Sequence, residues 1–357
     1  MALRGVTPPS VTIVYVVHDR RDELRTSLRM MLRESRYDGE VDAIVVDNAS
    51  RDGSAEMVRD EFPEVELIRR GDNGGAPAWN EGYARARGDW VLTLDDDAYL
   101  PPDGLGRALA AAERHAADLV SFRVVSTRDP DWVFSDRYRA GLFAFWGCAW
   151  LARRSVLSEL GGYDPEIFMW GNELDLTIRL YDASHRHLHL PEVEARHMKP
   201  PPRDLAVDTR GYETNARHWA YVAAKLLRPR DAIEALVALV ARVLRDGLRE
   251  DRALLASLMP TLRGFAHGLR HRRPVRSREL SRCYRRNCET FASIWWLTRP
   301  PAELASSLPR EVARRALRGE RRPEGIGRRE TYFEDRARYY PTAAAALDFA
   351  RSGVRPT

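Results

Sequence analysis

WVLTLDDDAYLPPDG, residues 90–104, joins an apolar run to three consecutive carboxylates, Asp95, Asp96 and Asp97. The run reads as a buried strand, and PPDG as the turn after it. Adjacent like charges repel, and a carboxylate taken out of water needs a positive partner. Strand geometry sends residues two apart to the same side, so Asp95 and Asp97 are expected to converge while Asp96 faces elsewhere. A convergent, aspartate-only ligand set suits a hard dication such as Mg2+ or Mn2+. The competing reading is a solvated acidic turn.

Outward from this strand, short apolar runs alternate with helical patterns. VTIVYVV (11–17), VDAIVVD (41–47), VELIRR (65–70) and WVLTLD (90–95) are strand candidates. Helical spacing runs through RRDELRTSLRMMLRES (20–35), residues 53–61, residues 76–87 and onward from 103. Such alternation means βα units on a largely parallel sheet whose strands are covered on both faces. Ligands of these sheets bind outside the carboxyl ends of the strands. Asp47 ends the second strand and Asp95 the fourth, so both are expected at that crevice. This placement favours a metal over a solvated turn.

From 118 the pattern changes. DLVSFRVVS (118–126) and AFWGCAWLARRSVL (144–157) contain strands, GGYDP (161–165) is a turn, and NELDLTIRLYDA (172–183) is a helix. HRHLHL (185–190) and VEARHM (193–198) read as two short strands, in an α+β half packed onto the first. After 210 the chain is helical and rich in arginine. The organisation expected is a nucleotide-binding α/β half at 1–115, a catalytic half of the same domain at 116–205, and a basic, mainly helical region at 206–357.

Composition bounds the rest. At 357 residues the chain suits one large or two modest domains, and 44% hydrophobic residues is ordinary for a globular protein. The net charge is +5, carried by arginine, since Lys199 and Lys225 are the only lysines. No apolar run approaches the roughly 18 to 20 residues that span a bilayer. The stretch VTIVYVV has no small-residue cleavage site after it and reads as a strand, not a signal peptide. Cys148, Cys283 and Cys288 are an odd number at spacings that suggest neither a disulfide framework nor a zinc site. A reducing cytoplasm is the expected location, free in solution or peripheral at the inner face of the membrane.

Three segments then acquire a joint meaning. VVDNASRDGSAE (45–56), DNGGAPAWNEGYARARGDWVLTLDDDA (72–98) and GGYDPEIFMWGNELDLTIRLYDA (161–183) resemble, in order, the signatures of family 2 glycosyltransferases, rhamnosyl- and galactofuranosyltransferases among them. The resemblance covers residues 10 to 200. It implies the GT-A nucleotide-diphospho-sugar transferase fold, a Rossmann-like and mostly parallel sheet, here with a C-terminal helical extension. It also implies a UDP-, dTDP- or GDP-linked donor, Mg2+ or Mn2+, and hexosyl or deoxyhexosyl transfer to an acceptor hydroxyl with inversion.

By the same resemblance Asp47 contacts the nucleotide base, with Val16 and His18 in the loop beside it. VVHDR stands there where T-Y-N-R is typical. Asn73, Asn80 and Gly82 match the N-x-G…N-x-G segment on the diphosphate side. Asp95 and Asp97 match the D-x-D motif, Asp97 for direct coordination and Asp95 for ribose or metal, with Asp96 between them at the nucleotide-sugar site. His197 matches a histidine that several relatives use as a further metal ligand.

Aligned on Asp175, Leu176 and Arg179, the family's acidic pair becomes Asn172-Glu173. Glu173 stands at the base position, and Asn172 departs from the pattern. An inverting transfer needs a carboxylate within hydrogen-bond reach of the attacking hydroxyl, while a metal neutralises charge on the leaving diphosphate. Asp175 is either a supporting acid or, with Asn172, part of a capping box.

The histidines of 185, 187 and 189 alternate along one strand face, expected exposed in preference to a zinc cluster. Trp146 and Trp170, with Trp79, offer a sugar-stacking wall on the acceptor side or plain core. HGLRHRRPVRSRELSRCYRRN (267–287) and SIWWLTRPP (293–301) suit an anionic membrane surface; a homodimer contact and a solvated bundle face are the alternatives. Nucleic acid is not expected, since no recognised module is present. Two rival functions are weighed. Nucleotidyl transfer wants a Gly-rich basic loop that VVHDRRDE lacks. A non-catalytic nucleotide-sugar binder or membrane scaffold is favoured only by Asn172. The acceptor class stays open among cell-surface glycan, lipid-linked intermediate and specialised metabolite.

Overall fold

The computed structural model describes residues 7–129, 145–199, 209–249, 251–278, 280–282 and 284–285. Cys288, Trp295 and Trp296, with the rest of the tail beyond 285, lie outside the described residues. The chain divides into two compact units, Met1–Asp204 and Leu205–Thr357.

In the first unit the apolar runs become β1 (Val11–Val17), β2 (Val41–Asp47), β3 (Glu66–Arg69) and β4 (Trp90–Asp95). Between them lie α1 (Arg21–Leu32), α2 (Ser54–Glu61) and α3 (Trp79–Arg85). A 3-10 turn at Ala76–Ala78 precedes α3, with Pro77 in its opening positions, where the missing N–H costs nothing. These four strands pair in parallel, β3-β2-β1-β4. Alternate residues of β1 serve opposite faces. Val11, Ile13, Tyr15 and Val17 share a core with Leu24, Leu28 and Met31 of α1, while Val16 joins Ile44, Val46 and Ile68 beneath Ala78. Gly82 lets α3 come close, since a Cβ there would lie 2.3 Å from Val14 Cγ1.

The second half does not form a separate layer. β5 (Ala98–Tyr99), β6 (Leu119–Ser126), β7 (Ala149–Arg153) and β8 (His187–His197) extend the same sheet to eight strands, ordered β3-β2-β1-β4-β7-β6-β8-β5. β7 runs antiparallel to β4 and β6, and β5 antiparallel to β8, so the sheet is mixed. Three helices belong to this half: α4 (Gly104–Arg114), α5 (Arg154–Leu160) and α6 (Asn172–Asp182). HRHLHL and VEARHM turn out to be one strand. Its register with β6 jumps from Phe122↔Leu190 to Arg123↔Glu194, so the excess residues around Pro191 bulge out of the ladder. Proline cannot donate to a ladder, and a bulge accommodates it without ending the strand.

The histidine face is also not what alternation suggests. His187 is buried, with Nε2 2.7 Å from Ser121 Oγ and Nδ1 2.9 Å from Tyr181 Oη. His189 Nδ1 lies 3.0 Å from the same Ser121 Oγ, and His185 sits before the strand beside Glu159 and Asp118. Helix α6 and Phe145 cover this face, so its imidazoles serve packing and hydrogen bonding.

The second unit is helical over its described part: α7 (Thr209–Leu226), α8 (Pro229–Arg249), a 3-10 segment at Arg252–Ser257 and α9 (Leu258–Arg270). Tyr212, Ala216, Val243 and Leu254 form a small core. Arg242 and Asp246 make a buried pair at 3.0 Å, and Tyr212 donates to Asp246. Ile233, Val237, Leu244 and Leu248 leave an apolar stripe exposed along α8, and Met259, Leu262 and Leu269 another on α9. No helix of the described residues is long and apolar enough to cross a membrane.

Candidate active site

Register places the first acids. Val17 pairs with Asp47 and Val16 with Asp95, so the two carboxylates flank the carboxyl end of β1. Asp47 is buried; its Oδ1 accepts from the Ser50 N–H at 2.9 Å and its Oδ2 lies 3.7 Å from Arg69 Nε. His18 hangs over the edge of β1 with Nδ1 2.9 Å from Asn48 O. Asp19 and Ala49, in the two loops here, hold positive φ, as does Trp170 just before α6. Backbone strain of this kind gathers at functional loops.

Asn48 and Asn73 lock the next loop. The Asn48 side chain donates to Asn73 Oδ1 at 2.9 Å and accepts from the Gly74 N–H at 2.9 Å. Asn80 is occupied differently. Its Nδ2 donates to Tyr163 O and its Oδ1 accepts from Tyr163 N, both at 2.8 Å, copying a strand pairing between α3 and the GGYDP turn.

Asp96 and Asp97 stand in a two-residue turn between β4 and β5, so strand alternation does not govern them. Another device brings the acids together. β5 pairs with the end of β8, Ala98 opposite His197, and the Met198 N–H donates to Asp97 O at 2.8 Å. His197 Nε2 thereby stands 3.0 Å from Asp97 Oδ1. Arg20, from the loop after β1, donates to Asp97 Oδ2 and lies 3.9 Å from Asp96 Oδ1. Lys199 Nζ is 3.8 Å from Asp97 Oδ2. Asp96 therefore does not face elsewhere: it shares Arg20 with Asp97.

The electrostatics divide the three. Burial, then the charge of Asp97, pushes Asp95 and Asp96 above the ordinary carboxylate range. Burial opposes ionisation of Asp97 too, yet close contact with His197 and the charges of Lys199 and Arg20 hold it well below that range. Asp97 is thus the fixed anion of the crevice. Its Oδ1 is buried against the His197 imidazole, and donor atoms of Asp95, Cys148 and His197 lie within 4.8 Å of one another beside it. This donor set fits a divalent cation.

Glu173 opens α6. Its carboxylate lies against Gly147, where a Cβ would come within 2.1 Å of Oε1. Burial first, and then the charge of Asp95, raises it to about 7, against hydrogen bonds with its own backbone N–H and with Tyr163. The Tyr163 hydroxyl accepts from Trp150 Nε1 at 3.2 Å, which fixes its position. A carboxyl group poised near neutrality beside an acid cluster is the environment of a general base.

Asn172 and Asp175 do not form a capping box. The cap residue is Gly171, and Asn172 Nδ2 donates to Ile167 O at 2.7 Å, a bond that an aspartate could not make. Asp175 is fully buried and accepts from Arg179 Nε at 2.7 Å. Arg179 also donates to Leu160 O and Gly162 O, so this pair braces the turn carrying Tyr163. The tryptophans separate. Trp79 packs on Val16 and edge-on to Tyr163, Trp146 packs on the main core, and Trp170 is 42% exposed beside exposed Phe168 and Met169.

Sequence reasoning missed Arg20, Lys199, Gly147 and Tyr163. Arg20 lay inside the VVHDR stretch, and Gly147 and Tyr163 inside segments already singled out; only their long-range contacts reveal what they do.

Residues 12–155 match the family model described as glycosyl transferase family 2. The undecaprenyl-phosphate 4-deoxy-4-formamido-L-arabinose transferase of Pseudomonas fluorescens (strain Pf0-1) is 33% identical over 112 residues, 29% of this chain and 32% of that protein. The chain thus spans about a third of that relative's length. The N-acetylglucosaminyl-diphospho-decaprenol L-rhamnosyltransferase of Mycobacterium tuberculosis (strain CDC 1551 / Oshkosh) is 25% identical over 207 residues, 44% of this chain and 67% of that protein. Among solved structures, S. aureus TarS 1–349 superposes with a TM-score of 0.54 at 15% identity, covering 80% of this chain and 90% of that one. That likeness establishes the fold, which is GT-A.

Proposed function

We propose that this chain, a member of glycosyl transferase family 2 through residues 12–155, transfers a sugar from a nucleoside-diphosphate donor to an acceptor hydroxyl with inversion. One observation carries the reading. Glu173, raised to about 7, feels the charge of Asp95 in the crevice that holds Asp97, His197, Arg20 and Lys199. This supports a base and a phosphate-binding site in one crevice.

Each residue then has a task. Asp47 and His18, at the ends of β2 and β1, receive the nucleotide base. Asn48 and Asn73 keep the 73–75 loop in shape beneath it. Asp95, Asp97 and His197 would hold Mg2+ or Mn2+, which when bound supplies charge neutralisation on the leaving diphosphate. Arg20 and Lys199 add positive charge on the same side. Glu173 takes the acceptor proton from the opposite side, and Gly147 keeps the space in which its carboxylate lies. Asn172 is no sign of lost chemistry, because its amide serves the Ile167 carbonyl.

The acceptor we favour is a polyprenyl-linked sugar, which offers a hydroxyl, the class named for the Mycobacterium tuberculosis relative. The exposed apolar stripes of α8 and α9, with Arg230, Arg245, Arg263 and Arg270 nearby in sequence, support work at an anionic inner membrane face.

Calorimetric titration of UDP, dTDP and GDP, with and without Mn2+, into wild type and Asp97→Ala tests this. One nucleotide should bind in a metal-dependent way that Asp97→Ala abolishes. Absence of binding by all three would overturn the proposal.

A further inference from the structure

Cys148 has no role in the scheme above. It is buried, and its thiol is in no disulfide. It lies just before β7, the antiparallel neighbour of β4, and the Asp95 N–H donates to its carbonyl at 2.8 Å. His197 arrives from β8. A carboxylate oxygen of Asp95, Sγ of Cys148 and a ring nitrogen of His197 lie within 4.8 Å of one another. Donors from β4, from the residue before β7 and from β8 thus converge, although Cys148 is 53 positions from Asp95 in the sequence and 49 from His197. Beside them is the buried Oδ1 of Asp97, 3.0 Å from His197 Nε2.

We propose that Cys148 is a protein donor to the dication of this crevice, so that the site offers oxygen, nitrogen and sulfur together and favours thiophilic Zn2+, Co2+ or Cd2+ over Mg2+. The inference rests on the reading of the crevice as a metal-assisted donor site and makes its metal preference specific to this chain. Hard Mg2+ prefers an all-oxygen shell with several waters, whereas thiolate and imidazole select softer transition ions. On binding, the S–H bond breaks, sulfur keeps the electron pair to form the metal–sulfur bond, and the proton passes to buffer. No oxidant or reductant enters. Asp97, held by Arg20, then orients His197, since a ligating imidazole commonly has a carboxylate partner.

The test uses the full chain, stripped of metal and titrated with Co2+ while the absorption spectrum and the heat of binding are recorded. A thiolate-to-cobalt charge-transfer band should grow to one equivalent in wild type and vanish in Cys148→Ala and Cys148→Ser. Groups that only hydrogen-bond to a metal ligand are typically worth 10- to 100-fold in affinity, so Co2+ binding to these variants should weaken at least ~10-fold. Circular dichroism checks that both variants fold, and the wild-type spectrum stands whether or not they do. Bound Co2+ without the band, or a band that persists in Cys148→Ala through another cysteine, overturns the assignment while metal-dependent nucleotide binding keeps the functional reading. Absence of any bound metal, by heat or absorption, overturns both.

Discussion

Oε1 of Glu173 lies where the side chain of any residue larger than glycine at 147 would begin, 2.1 Å from an ideal Cβ position. What must move is the far end of a flexible side chain, so Gly147→Ala has a small stability cost. Its effect falls on the position of the base. A displacement of about 1 Å from reacting geometry costs on the order of 100-fold. Gly147→Ala should therefore lower kcat by roughly that factor with donor affinity unchanged and Tm only slightly lowered. Steady-state kinetics beside calorimetry separate the two; an equal loss of binding would show that the glycine serves the donor.

Glu173 sets a pH dependence. Its carboxyl is raised from 4.5 to about 7 by burial, so the base form is lost as pH falls through that value. The plot of kcat/KM against pH should carry an acid limb near 7 that Glu173→Gln removes together with activity. Stability has the opposite sense. A carboxyl raised on folding contributes stability that is fully present below 4.5 and lost as pH rises through 7. Glu173→Gln should thus raise Tm above pH 7 relative to wild type, with no such gain near pH 4. A flat difference across that range would place the raised group elsewhere.

Restoring the family's acidic residue at 172 should do harm. Asn172 is buried, and its Nδ2 donates to Ile167 O at 2.7 Å. Asn172→Asp sets a carboxylate against a carbonyl and leaves both without a donor, a cost of about 1–3 kcal/mol. Urea unfolding should report that loss, with no rise in kcat. A faster enzyme would mean that the first acidic position takes part in the chemistry and that this chain lacks it.

The sheet was largely legible because β1, β2 and β4 are continuous apolar runs between turn residues, the pattern of strands covered on both faces. Asp47 and Asp95 were legible for the same reason, as the residues closing two of those runs. Asp97 was singled out by motif, but the reason it meets His197 was not strand alternation. It is the pairing of β5 with the far end of β8, a contact across 99 residues of sequence. Arg20 reaches Asp97 across 77 residues, and no local pattern encodes that approach. The histidine strand misled because alternation gives a shared face without saying what covers it. Here α6 does, and Tyr181 and Ser121 satisfy His187.

Asp175 decides between two readings of the acidic helix start. If it served the reaction, Asp175→Asn would lower kcat at constant Tm. The structure instead places it in a buried pair with Arg179, which also holds the carbonyls of Leu160 and Gly162. Removing one partner of such a pair leaves the other charge uncompensated, at a typical cost of about 3–5 kcal/mol. Asp175→Asn should therefore lower the urea midpoint strongly and, well below the transition, keep kcat within a few-fold of wild type. Arg179→Gln should give a similar loss of stability, and the double variant less than the sum, because the two residues share one interaction. Additive losses would separate Asp175 from Arg179 and return it to the list of acids that act on the acceptor.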